Sequence, residues 1–139
     1  MRGFVFFMLI TINSVFSQNK SSYLDIYESI ISPKCSVSSC HDGSFEPDYR
    51  TAQSAYTTLV YHEVVKNNLQ EEFVYRVVPF DTTRSLFFER LTNCCFVNEG
   101  DQMPLLQERM LGQNEIAKIA NWISDGARDW RGLVPTIPE

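Results

Sequence analysis

The sequence has little positive charge, few histidines and no uninterrupted apolar run of about 20 residues, the length of a membrane-spanning helix. Of its 139 residues, 12 are Lys or Arg, 17 are Asp or Glu, and two are His. Nucleic-acid binding needs clustered basic side chains that neutralise phosphates, so the acidic balance argues against a nucleic-acid partner. An acidic surface instead suits a partner protein with a basic docking patch. The sequence also contains no internal repeat and no low-complexity linker.

The first seventeen residues have the order of a secretory signal. Arg2 supplies a basic start, an apolar stretch covers 4–12, and 13–17 offers a small-residue cleavage site. We therefore predict that 1–17 is a removable signal peptide and that the protein is exported, to the periplasm or the extracellular space. The alternative is a retained N-terminal anchor, which would associate the protein with a membrane. Cleavage would leave eleven basic and seventeen acidic side chains, a net charge of −6.

The rest of the chain is long enough for one hydrophobic core but not for two. Apolar residues at helical spacing predict helices over 23–31, 54–61, 83–91 and 114–127. Pro33 is expected to end the first helix, Asn114 to cap the last one, and Gly126 to close it. Residues 34–50 and 94–106 are predicted loops, and 73–78 is predicted to be extended. We predict an all-α fold, mainly helical with long loops, in one domain over 18–130 followed by a tail over 131–139.

Two of the four cysteines are followed directly by a histidine, in the order Cys35, Cys40, His41. This is the chemistry of covalent haem attachment, in which each thiol adds to one vinyl group and the adjacent imidazole binds the iron. The usual spacing has two residues between the cysteines, whereas four stand here, so the insert over 36–39 must bulge outwards. The alternative is a Cys35–Cys40 disulfide with His41 as a bystander.

A haem iron bound by His41 needs a second axial ligand. Met103 meets this need, because it lies in a loop sixty-two residues after His41 and the following Pro104 restricts its backbone. His62 and Met110 are rivals and rank behind it in that order. Methionine is more commonly a flexible filler of the core, which is the alternative for Met103.

The remaining cysteines, Cys94 and Cys95, are adjacent in the chain. In an oxidising compartment we favour a vicinal disulfide between them, which would be strained and easily reduced. Four cysteines in an exported chain also fit a disulfide-stapled binding module without a cofactor. A third interpretation is a structural zinc site built from the cysteines and His41, although adjacent residues rarely both reach one tetrahedral ion.

The order of these features resembles the class I c-type cytochromes, in particular the planctomycete-type cytochrome c. An N-terminal helix leads into the Cys…Cys-His motif, and a Met-Pro loop and a C-terminal helix follow. Two further stretches carry the resemblance, Arg76-Val-Val-Pro-Phe-Asp81 and Glu115-Ile-Ala-Lys-Ile-Ala-Asn-Trp-Ile-Ser-Asp-Gly-Ala127. The resemblance covers roughly residues 23–128, and the family often has glycine where Phe80 stands.

The resemblance implies a cytochrome c-like fold, with the N- and C-terminal helices packed around one haem. Cys35 and Cys40 would form the thioethers, His41 would be the proximal ligand and Met103 the distal ligand. The helices would cross with Ile26 and Ile30 packed against Ile119, Trp122 and Ile123. Plausible aromatic walls for a haem pocket are Phe45, Tyr49, Tyr56, Phe73, Phe87, Phe88 and Phe96.

The function predicted from these residues is electron transfer by a single covalently bound haem c with His/Met axial ligation. No nucleophile–base pair or acid pair suggests catalysis, so we predict an electron carrier and not an enzyme. Its partner would be another redox protein, and the chain would act alone or as a module of a larger redox complex.

Overall fold

The computed structural model describes residues 22–65, 73–92 and 102–138, and this part of the chain is mainly helical, as predicted. Its α-helices are α1 (Ser22–Ile26), α2 (Ser32–Cys35), α3 (Ala52–Leu59), α4 (Leu86–Thr92) and α5 (Gln113–Ser124). A π-helical turn, Tyr27–Ile31, joins α1 to α2, and a 3-10 turn, Gln107–Arg109, precedes α5. In the described ranges, none of these helices has the length and apolar character needed to cross a membrane. The predicted signal peptide lies outside the described residues.

The first helical segment runs through Pro33 and ends at Cys35, so the prediction that Pro33 ends it was wrong. Proline disrupts a regular helix because its ring meets the carbonyl four residues earlier and it has no N–H to donate. Here the preceding turn is widened, and the Ser32 N–H donates to the carbonyl of Tyr27 five residues back. We infer that this wide π turn makes room for the ring. As a result, Cys35 is the last residue of a helix and not part of a loop.

The other predicted elements are present with shifted ends. Helix α3 begins at Ala52 because Thr51 caps it, accepting a hydrogen bond from the Ser54 N–H at 3.0 Å. Helix α5 begins at Gln113, where the Gly112 N–H donates to the Glu115 carboxylate at 2.8 Å. Asn114 lies inside this helix, so the prediction that Asn114 caps it was wrong. The extended segment over 73–78 makes isolated bridges, such as Val60 with Val77, and forms no sheet within the described residues.

Helices α1 and α5 pack against each other and form the centre of the core. Facing residues of α1, of the π-helical turn that follows it and of α5 belong to one buried cluster, which contains Ile26, Ile30, Ile119, Trp122 and Ile123. The rings of Tyr23 and Trp122 lie 5.4 Å apart, and the Tyr23 hydroxyl donates to the Ala52 carbonyl at 2.6 Å, which ties α3 to this pair. The π-helical turn leads from this core into α2, and Cys35 at the end of α2 packs against the buried cluster.

Gly126 closes α5 in the left-handed conformation, with φ of +96°. A Cβ at this position would lie 2.6 Å from Cζ of Phe80, because the Phe80 ring covers the glycine. The backbone N–H of Phe80 donates to the Ile123 carbonyl. Phe80 itself has φ of +69°, a backbone conformation that favours glycine. This is the position at which the c-type cytochromes that the sequence resembles often have glycine. Two left-handed residues therefore join the end of α5 to the turn before Asp81.

Replacing Gly126 with alanine is expected to lower the free energy of unfolding by about 3 kcal/mol, from the left-handed conformation and the overlap with Phe80 together. Gly132→Ala is the matched control, because Gly132 has φ of +85° but no heavy atom near an added Cβ. Gly132→Ala should lower the free energy of unfolding by only about 1–2 kcal/mol, the cost of the left-handed conformation alone. Denaturant unfolding of both variants measures the difference, and equal losses would show that the Phe80 ring moves aside freely.

Candidate functional site

A cavity of about 450 Å³ lies between the Cys-His segment, α3, α4 and the Met-Pro loop. This volume is within the range of about 300–1,000 Å³ that is typical of small-molecule and cofactor sites. Cys35, Cys40, His41 and Met103 all line it. The fold therefore brings all four residues that sequence analysis selected to one cavity, although Met103 is far from the others in the chain.

The insert between the cysteines is folded into a tight turn. The Cys40 N–H donates to the Val37 carbonyl at 2.9 Å, and the His41 N–H donates to the Cys35 carbonyl at 3.2 Å. Ser38 and Ser39 at the tip of the turn are exposed. The second hydrogen bond closes the four-residue insert, so both cysteines and His41 line the same cavity despite the long spacing.

Cys35 and Cys40 are free thiols in the structure, with no disulfide between them. Burial raises the pKa of Cys35 to about 12, and the neighbouring Cys40 adds to this. Nearby Lys34 and Arg109 have the opposite, smaller effect on the pKa of this thiol. Cys35 is therefore a neutral thiol at neutral pH and contributes to an apolar wall.

His41 is held as a neutral, oriented imidazole. Burial lowers its pKa, the hydrogen bond to Pro47 partly opposes this, and the charges of Arg76 and Arg90 lower the pKa further. Its Nδ1 lies 2.9 Å from the Pro47 carbonyl oxygen, which can only accept, so Nδ1 donates and Nε2 keeps its lone pair. The ring of Tyr49 lies 4.5 Å from the imidazole. An imidazole oriented by a backbone carbonyl is the usual arrangement of a metal-ligating histidine.

Met103 is the candidate second ligand that shares the cavity with His41. Its N–H donates to the Arg90 carbonyl at 2.8 Å, which attaches the Met-Pro loop to α4. Of the rival ligands, His62 does not line the cavity. Its Nε2 lies 3.2 Å from a carboxylate oxygen of Glu46, and its Nδ1 lies 3.2 Å from the Glu63 carbonyl oxygen. Met110 lies at a separate, smaller pocket.

The walls of the cavity are largely apolar. Of the predicted aromatic walls, Phe45, Tyr49 and Phe87 line it. Tyr56, Phe73 and Phe88 do not, and Phe96 lies outside the described residues. A leucine on α3 or α4 gives the same pattern whether it faces a core or a cavity, and residues of irregular segments have no periodicity. The aliphatic walls of the cavity were therefore not predicted from the sequence. They are Leu59, Val64, Val65, Leu86, Leu91, Leu105 and Leu106.

Sequence analysis also missed the charge of the cavity. Among the described residues, four cationic side chains line it, against the single carboxylate of Glu46, whereas the overall charge of the chain is −5. They are Lys34, Arg76, Arg90 and Arg109. They are scattered along the sequence and form no run, so no local signal could have found them. The cavity therefore suits a ligand that is mainly apolar and carries negative groups.

The other two cysteines, Cys94 and Cys95, lie outside the described residues. Within 22–65, 73–92 and 102–138, no three His, Cys, Asp or Glu side chains come together as a group that could hold a metal ion. The predicted vicinal disulfide and the zinc interpretation therefore both stay predictions.

The fold and site together define a mainly helical protein with an apolar cavity that carries two thiols, an oriented imidazole and a thioether. Comparison of the chain with family models, with curated protein sequences and with solved structures gave no match. The function is therefore inferred from the side chains of the cavity.

Proposed function

We propose that the protein is an exported electron carrier with one covalently bound c-type haem, in a cytochrome c-like fold. The observation that carries the proposal is that Cys35, Cys40, His41 and Met103 line one apolar cavity. These are the two attachment groups and the two axial ligands that a class I c-type cytochrome needs. The packing of α1 against α5 supports the same resemblance.

The residues present fit a haem by the chemistry of their donor atoms. Each thiol would add across one vinyl group, with sulfur bonding to one carbon and the thiol proton ending on the other, so the addition needs no external oxidant. His41 keeps Nε2 available while Pro47 holds Nδ1. Met103 offers a soft thioether sulfur, a type of ligand that haem iron accepts in the cytochromes c.

A bound haem would supply a centre that gains and loses one electron. His41 and Met103 would occupy both axial positions, which leaves no position for a substrate and favours a carrier over an enzyme. A methionine ligand and an apolar wall both favour the reduced state. The acidic surface suits a redox partner with a basic docking patch.

The proposal is tested by producing the full chain in a host that attaches haem to exported proteins. We expect the purified protein to be coloured, to retain a haem stain on a denaturing gel and to be reduced and reoxidised reversibly. A colourless protein with Cys35 joined to Cys40 would contradict the proposal and favour a disulfide-stapled binding module. A colourless protein that contains stoichiometric zinc would instead favour the structural zinc site.

A further inference from the structure

Arg109 places a cationic group at the cavity without a partner among the described residues. It ends the 3-10 turn Gln107–Arg109, and its backbone N–H donates to the Leu106 carbonyl at 2.9 Å. The side chain lines the cavity, and Nη1 of its guanidinium is buried with no hydrogen-bond partner. It is the one buried side-chain nitrogen or oxygen in this state across the described ranges.

Two other cations of the cavity are already satisfied by the protein. Lys34 contacts the Glu115 carboxylate at 2.6 Å, and Arg76 contacts Glu46 at 3.2 Å and donates to the Thr58 carbonyl at 2.7 Å. Glu46, the one carboxylate on the cavity wall among the described residues, is thereby already engaged with Arg76 and with His62. A buried guanidinium N–H left without an acceptor is costly, and native proteins rarely keep one without a reason.

The missing acceptor is best supplied by the molecule that fills the cavity. A guanidinium forms short, strong hydrogen bonds with carboxylates. The proposed haem carries two propionate groups, which are its only ionised side chains. Resting on the proposed function, we propose that Arg109 binds a propionate carboxylate of the haem and so fixes how the porphyrin is oriented in the cavity.

The proposal is tested by comparing two porphyrins with the full chain in its haem-free form. One is ferric protoporphyrin with both propionates free, and the other is its dimethyl ester, in which two neutral methyl esters replace the two negative carboxylates. We expect the wild-type chain to bind the diacid at least about tenfold more tightly, since a hydrogen bond to a charged group is worth about a factor of ten or more in affinity. Absorbance titration measures both affinities.

Two variants assign this preference to Arg109. Arg109→Gln should reduce the preference for the diacid by about tenfold and leave binding of the diester nearly unchanged. Arg84→Gln removes a charge of the same type from an exposed position that does not line the cavity, and it should keep the full preference. Arg109→Lys keeps the charge but not the planar fork, and we expect it to restore part of the preference.

The outcomes separate this inference from the proposed function. If wild type binds both porphyrins equally, or if Arg109→Gln keeps the full preference, Arg109 does not bind the propionate although the porphyrin site stands. The wild-type comparison decides the first point even if a variant fails to fold. If the chain binds neither porphyrin and carries no covalent haem after export, the proposed function fails and the role of Arg109 fails with it.

Discussion

Exported protein in which Cys35 and Cys40 are both replaced by alanine is expected to carry no haem that survives denaturation. Both thiols line the cavity, and the Ser36–Ser39 turn holds their backbones together through the hydrogen bond from His41 N–H to the Cys35 carbonyl. Without the thiols no thioether can form, so the haem stain on a denaturing gel should be lost completely. Each single variant retains one thioether and should show a reduced but detectable stain.

The matched control for this experiment is the double variant Cys94→Ala and Cys95→Ala. It removes the same number of thiols, and the vicinal disulfide that we predict for those two residues would take no part in haem attachment. We expect its haem stain to equal that of wild type. Haem that resists denaturation in the Cys35 and Cys40 double variant would contradict the account, as would its loss from the Cys94 and Cys95 double variant alone.

Replacing Met103 with alanine is expected to keep the covalent haem and change its axial ligation. The thioethers do not involve Met103, so the haem stain should equal that of wild type. Loss of the sulfur ligand should abolish the sulfur-to-iron charge-transfer band of the oxidised protein. The reduction potential should fall by on the order of 0.1 V, a fraction of the roughly 0.8 V that the choice of axial ligand spans. Optical redox titration measures both effects.

The rival ligands supply the controls for this prediction. Met110→Ala removes the same side chain from a position outside the main cavity, and His62→Ala removes a histidine that does not line it. Both variants should keep the band and the potential of wild type. A band that persists in Met103→Ala, or that disappears in His62→Ala, would place the second ligand elsewhere.

The helices were predictable from the sequence because their apolar spacing is local. The apolar stripe over 116–127 predicts α5, and two of its isoleucines, Ile119 and Ile123, are buried in the structure. The continuation of the first helix through Pro33 was not predictable. Local rules describe proline in a regular α-helix, whereas the widened turn before it is a different hydrogen-bonding pattern that leaves no mark in residue spacing.

The candidate site was partly predictable, because some of its residues form local motifs in the sequence. The thiols and His41 form a local motif, and Met103 stands out as a methionine before proline in a loop. The aliphatic walls and the four cations are brought together only by packing of distant segments. Lys34 and Arg109 are seventy-five residues apart in the sequence, yet both line the cavity. No periodicity or motif in the sequence predicts that these distant side chains line one cavity.

The central claim, that both thiols of one segment hold one porphyrin, is tested most directly by mass spectrometry of the exported protein after trypsin digestion. Cleavage after Lys34 and Arg50 releases a peptide over 35–50 that contains Cys35, Cys40 and His41 together. The account predicts that this peptide carries the mass of one whole haem, bound through both cysteines. The same peptide found with two free thiols or with a Cys35–Cys40 disulfide, and without haem, would contradict it.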